Sequence, residues 1–211
     1  MKKYRIVGMC QVFNEICKGN LERFVKYLKP LVDEFVVYDD GSTDGSFEYL
    51  LGHTPFVIRG ARNDFAGERS HKQVLLEEAL KLNPDFILWL DADEVLTAGA
   101  KDSLQELCRV CEENSLDALS FHELNLWRSN SWRRLDSLYD TGWFVRLWRV
   151  TPGMAYDERG VGLHQAQYPS TIRTVGRVEG VQVLHYGFAS KRCLSHKYGA
   201  SLFRVGRHDS K

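Results

Sequence analysis

Phe86-Ile-Leu-Trp-Leu90-Asp91-Ala-Asp93-Glu94 is the stretch on which the fold turns. Five apolar residues with no polar residue among them make a strand buried on both faces, and such strands belong to parallel sheets covered by helices on either side. Two carboxylates, Asp91 and Asp93, follow it at once. In open α/β sheets ligands lie outside the carboxyl ends of the strands, so this strand delivers both carboxylates to the ligand edge. Hard divalent cations take oxygen ligands, and a carboxylate pair on such a turn can hold Mg²⁺ against a diphosphate. Asp-x-Asp is also common in ordinary solvated turns, so the rest of the chain must decide.

Upstream, residues 4–10, 34–38 and 56–59 read as strands. Residues 19–31 read as a helix with Leu21, Phe24, Val25 and Leu28 on one face, and residues 68–82 as a helix turning Val74, Leu75, Ala79 and Leu80 inward. This alternation predicts an α/β fold with a mostly parallel central sheet covered on both faces. The polar clusters Asn14-Glu15, Asp39 to Asp44, Ala61-Arg62-Asn63 and Asp91-Ala92-Asp93 each follow a predicted strand end, so four loops converge on one edge. After about Ser115 the pattern changes. Residues 118–126 and 143–150 read as longer strands around a polar, aromatic loop, glycines and prolines punctuate the chain to Gly187, and residues 190–205 are helix-like. Residues 1–115 are thus expected to be one α/β half, and residues 116–211 an extension of the same domain.

Composition excludes several classes. Twenty-eight basic residues balance 28 acidic ones, so net charge argues for neither a nucleic-acid nor an anionic-membrane partner, although the tail from Lys191 to Lys211 is basic. The N-terminus lacks the apolar length and cleavage site of a signal peptide, and no segment approaches the ~20 apolar residues needed to span a bilayer. A cytoplasmic protein, touching a membrane at most from that side, is expected. Five cysteines at uneven spacings fit free thiols in a reducing compartment. Cys108 and Cys111 form the one CxxC pair, inside a helix-like run with no second pair to complete a zinc site, and read as half-buried helix thiols.

Taken together, Val12-Phe-Asn-Glu15, Asp39-Asp-Gly-Ser-Thr-Asp-Gly-Ser46 and Leu90-Asp-Ala-Asp-Glu94 resemble the signature loops of family 2 glycosyltransferases, which have the GT-A fold. Their order and spacing match across roughly residues 4 to 97. The resemblance implies a nucleotide-sugar donor, usually a uridine diphosphate sugar, a Mn²⁺ or Mg²⁺ cofactor, and inversion at the anomeric carbon. It makes residues 1–115 the nucleotide-sugar-binding half and residues 116–211 the acceptor-binding half. It places Asn14 and Glu15 in the nucleoside pocket, Asp40 with Asp39 beside the base, and Arg69 and Arg62 beside the base or diphosphate. Guanidinium forks suit phosphate oxygens. Asp91 would contact ribose or sugar, Asp93 would bind the metal, and His185 would be a further metal ligand. Lys72 reads instead as part of a solvated helix face.

An inverting transfer needs a carboxylate to take the acceptor proton. Relatives with a histidine at the place of His164 often carry a glutamate next to it, where this chain has Gln165, which cannot act as a base. Asp157, Glu158 and Asp140 remain, with Asp157 and its neighbour Glu158 favoured because they lie in a glycine-rich loop. Trp127, Arg128, Trp132, Arg133, Arg134, Trp143 and Trp148 form an aromatic and basic set. Trp143 and Trp148 read as core, while the others would suit a glycan, a lipid-linked glycan or, less well, a nucleic-acid acceptor. Two other classes compete: a noncatalytic GT-A-like protein that binds nucleotide or glycan, and a nucleotidyltransferase. The second would carry a glycine-rich loop after the first strand, where this chain has Gln11-Val-Phe-Asn-Glu15.

Overall fold

The computed structural model describes residues 2–133, 142–156, 167–190 and 193. Its elements run β1 (Ile6–Val12), α1 (Glu15–Lys18), α2 (Leu21–Leu28), β2 (Glu34–Asp39), α3 (Ser46–Leu51), β3 (Val57–Arg59), a 3₁₀ turn at Phe65–Gly67 and α4 (Glu68–Leu80). They continue with β4 (Phe86–Trp89), β5 (Glu94–Leu96), α5 (Ala100–Glu113), β6 (Ala118–Asn125), β7 (Trp143–Arg149) and β8 (Val175–His185). All eight strands join one sheet in the order β3-β2-β1-β4-β7-β6-β8-β5. β3, β2, β1 and β4 are parallel neighbours, β7 runs against both β4 and β6, and β8 lies parallel to β6 and antiparallel to β5.

Both faces are covered, as the apolar strands require. On one face pack Leu21, Phe24, Val25 and Leu28 of α2, Leu50 of α3, and Ala100, Leu104, Cys108 and Cys111 of α5. On the other lie Leu75, Leu76 and Ala79 of α4 with Met154, Tyr156 and Ile172. Cys108 and Cys111 are fully rather than half buried, and burial pushes both thiols up, Cys111 to about 11, where a thiol is inert.

Three local expectations are corrected. The helix expected over residues 19–31 is shorter, running as α2 from Leu21 to Leu28, and a separate short helix, α1, precedes it, closed by Gly19 in the left-handed region (φ 78°). In α4 Val74 points outward, and the inner face consists of His71, Lys72, Leu75, Leu76 and Ala79. Lys72 is buried because Glu68 pairs with it at 2.7 Å and its ammonium lies 4.9 Å from the centre of the Trp89 ring. Finally, the glycine-punctuated region contains the longest strand, β8, of 11 residues. Its register on β6 jumps from Phe121↔Val178 to His122↔Gln182, a bulge that contains Gly180 at φ 87° and breaks the alternation a strand usually shows. The helix-like residues 190–205 lie, Ser190 and Cys193 apart, outside what the structure describes.

Candidate active site

Because β1, β2 and β4 are parallel, Val12, Asp39 and Trp89 finish at one edge. The loops after them are stitched together before any ligand is considered. Asn14, left-handed at φ 52°, receives Thr43 N–H on Oδ1 at 2.9 Å, and its own N–H donates to Ser42 Oγ. Asp44 accepts Cys17 N–H at 2.7 Å and both the N–H and hydroxyl of Ser46. Gly41 has φ 76°, and a Cβ there would lie 2.8 Å from the Arg62 backbone, so glycine is needed twice over. That close approach seats the third loop on the second.

The two aspartates of this loop differ. Asp40 accepts Asn63 Nδ2 at 2.7 Å and Asp64 N–H at 3.0 Å, and burial raises its pKa although these bonds oppose the shift. Asp39 accepts Ser42 N–H on Oδ1, while its buried Oδ2 has no hydrogen-bond partner among the described residues. Beside them His71 stacks on Tyr38, with ring centres 4.1 Å apart and planes at 15°. Glu15 is buried against Lys18 and Asn20, and burial followed by the nearby Asp93 charge raises its pKa. Arg62 is exposed on the third loop, and Arg69 is half-buried in the first turn of α4.

After β4 the chain turns tightly. Glu94 N–H donates to Asp91 O at 2.8 Å, and Asp91 N–H donates back to Glu94 Oε2 at 3.0 Å. Trp89 Nε1 donates to Asp91 Oδ1 at 3.1 Å. The antiparallel pairing Glu94↔His185 then brings the end of β8 to this edge, where Tyr186 N–H donates to Asp93 O at 2.7 Å. His185 Nε2 faces Asp93 Oδ2 at 3.1 Å. Asn125 Nδ2 donates to Glu123 at 3.2 Å, which turns Asn125 Oδ1 toward His185 Nδ1. The Nδ1 proton is thereby held, leaving the Nε2 lone pair of the neutral ring aimed at Asp93. Burial alone would lower the His185 pKa, but the Asp93 carboxylate, with Glu123 and Glu94 behind it, carries it up to about 9.

The donor chemistry fits a divalent ion. One carboxylate oxygen and one imidazole nitrogen face the same small space, and a Cβ on Gly187 would intrude on it, 2.6 Å from Nε2 and 2.8 Å from Oδ2. Among the described residues no three His, Cys, Asp or Glu side chains make a complete metal cage, so an ion here would take its remaining oxygens from a ligand or water. A cleft lined by Val12, Glu15, Asp91 and Asp93 opens beside Asp93. A cavity of about 400 Å³ shares Asp91 and Asp93 with it and is lined also by His185, Lys72, Trp89, Phe144 and Arg146.

Asp157 and Glu158, the expected catalytic pair, lie outside the described residues, as do Asp140, His164, Gln165 and Arg134. Trp148 is buried and Trp143 half-buried, whereas Trp132 is 75% exposed. The sequence reading missed Glu94, Glu123, Asn125 and Arg146. One signal for them existed: a lone arginine within Trp143-Phe-Val-Arg146-Leu-Trp148 sits oddly in a buried strand.

No family model matches the chain, and no curated protein matches it. Among solved structures, S. aureus TarS 1-349 superposes with a TM-score of 0.56 at 15% identity, covering 88% of this chain and 60% of that one. The fold is GT-A. At this identity the likeness is one of fold, and the chain spans 60% of the TarS chain. TarS 1-349 in complex with UDP-GlcNAc gives a TM-score of 0.46 at 20% identity, covering 63% of this GT-A chain and 37% of TarS. Glucosyl-3-phosphoglycerate synthase from Mycobacterium tuberculosis, in complex with Mn²⁺ and UDP-glucose, gives 0.40 at 17%, covering 58% and 44%. No helix among the described residues is long and apolar enough to cross a membrane.

Proposed function

We propose that the chain is a glycosyltransferase that takes a sugar from a nucleotide diphosphate sugar, a uridine diphosphate sugar first, and attaches it with inversion to an acceptor hydroxyl. The observation that carries this reading is the Asp93–His185 pair at the carboxyl edge of the sheet, next to Asp91 and to the interlocked loops of Asn14 and Asp39. Asp39 and Asp40 receive the base, on the loop that Ser42 and Asn63 hold to them. Glu15 and Asn14 shape the nucleoside pocket, and Arg62 and Arg69 approach the diphosphate from the third loop and α4. Asp93 and His185 would hold Mn²⁺ or Mg²⁺, which when bound neutralises charge on the departing diphosphate. Asp91, held by Trp89, contacts the ribose or the sugar. Asp157 or its neighbour Glu158 takes the acceptor proton. Residues 1–115 serve as the donor half and residues 116–211 as the acceptor half. TarS, whose fold this chain shares, is itself known in complex with UDP-GlcNAc.

Calorimetric titration of uridine diphosphate with Mn²⁺ and with chelator, on the native protein and on Asp93→Ala, tests the reading. Metal-dependent binding that the variant loses supports it. If neither uridine diphosphate nor another nucleoside diphosphate binds with metal, the donor site is wrong. With binding secured, Asp157→Asn and Glu158→Gln should each keep donor affinity, and the variant of the true base should lose turnover by about 10²-fold or more.

A further inference from the structure

The floor of the larger cavity holds more negative charge than the donor site uses. Asp91, Asp93, Glu94 and Glu123 come together there from the turn after β4, from β5 and from β6. The guanidinium set among them is that of Arg146, on β7, with 5% of its surface exposed. One nitrogen makes all of its ionic contacts: Nη2 donates to Glu94 Oε1, approaches Asp91 Oδ2 at 3.4 Å and stands 3.7 Å from Glu123 Oε2. Glu94 in turn holds the Asp91 N–H with its other oxygen, and Glu123 holds the Asn125 amide that orients His185. The backbone is shaped for this contact. Leu119 pairs with Leu147 and Ser120 with Val145, so Arg146 is the unmatched residue of a bulge in the β6–β7 ladder. Bulges next to sites commonly re-aim a side chain.

We propose that Arg146 is the positioning residue of this site. It fixes the Asp91 carboxylate directly, holds the Asp91–Glu94 turn through Glu94, and steadies His185 through Glu123 and Asn125, so that Asp93 and His185 stay spaced for a shared cation. The proposal rests on the donor-site reading above. Because one nitrogen makes every ionic contact, the charge acts on the carboxylates as a point charge rather than a two-pronged fork, and a lysine ammonium can stand in for it.

The test compares uridine diphosphate binding with and without Mn²⁺ in native protein, Arg146→Met, Arg146→Lys and Arg146→Met combined with Glu94→Gln. The double variant guards against misfolding, because it removes the buried charges as a pair and keeps an acceptor for Asp91 N–H. The expected result is that in Arg146→Met and the double variant the gain from Mn²⁺ falls tenfold or more, a larger loss than any in nucleotide binding measured in chelator. Arg146→Lys should restore that gain to within about threefold of native, a rescue that a purely structural role does not predict. A folded double variant that keeps the full Mn²⁺ gain overturns the proposal. Native protein that shows no Mn²⁺ gain overturns the donor-site reading instead.

Discussion

His185 Nε2 lies 3.1 Å from Asp93 Oδ2, although 92 positions of chain separate the two residues. The antiparallel pairing of β5 with β8 closes that distance, and Gly187 leaves the space beside both atoms open.

Gly187→Ala therefore places a methyl carbon 2.6 Å from Nε2 and 2.8 Å from Oδ2, closer than real contacts allow. One of the two side chains must move. Mn²⁺-dependent binding of uridine diphosphate should fall at least tenfold, with chelator-resistant binding and melting temperature nearly unchanged. Calorimetry with and without Mn²⁺, beside a thermal melt, reads both quantities.

Asn125→Leu keeps the approximate volume but removes the acceptor for the His185 Nδ1 proton. Partners that orient a ligating histidine typically contribute roughly 10–100-fold in metal affinity, and a loss in that range is expected. Paramagnetic titration of Mn²⁺ measures it directly. Unchanged affinity would mean that His185 is not a ligand.

Asp117 accepts the N–H groups of Arg173 at 2.8 Å and Thr174 at 2.9 Å on one oxygen, and these bonds, Thr174 first, hold its carboxyl below the usual carboxylate range. Because the folded pKa is below the unfolded one, this stabilisation is present above the unfolded value and is lost as pH falls through the folded one. Asp117→Asn should destabilise the protein by about 1 kcal/mol at pH 7, a figure kept small because the group is partly solvated. The difference between the two proteins should shrink steadily below about pH 4, where the unfolded carboxyl begins to bind its proton. Urea unfolding at several pH values checks both the size and the slope.

Gly8 faces Phe35 across β1 and β2, and an added Cβ would sit 3.0 Å from Phe35 Cβ and 3.3 Å from Leu28 Cδ2. Phe35 Cβ cannot retreat, since it is fixed to the neighbouring backbone. Gly8→Ala should cost about 1–2 kcal/mol through overpacking, with nucleotide binding intact once the protein is folded. Chemical denaturation gives the number.

Most of the parallel part of the sheet could be read from the chain because its signals are local. An unbroken apolar strand ending in Asp91-Ala-Asp93 announces burial and ligand edge within nine residues. What escaped depends on distant pairing. Lys72 looks solvated until Glu68 and Trp89 are seen around it. Glu94 and Glu123 look like ordinary charged positions until Arg146 is placed between them. The strand β8 was hidden because its bulge at Gly180 interrupts the period by which strands are recognised.

β5 takes its place at the sheet edge with β8 as its strand neighbour. As the chain leaves the ribosome, Asp93 emerges long before the segment that pairs with its strand. The loops of Asn14, Asp39 and Asp40 can close on one another early, since their bonds span about 30 positions or fewer. The corner where Asp93 meets His185 is instead among the last parts of the described structure to close, and a nascent chain that has not yet made β8 has the interlocked loops but not this pair. Loop-closure entropy thus orders the assembly, with the local loops first and the Asp93–His185 pair late.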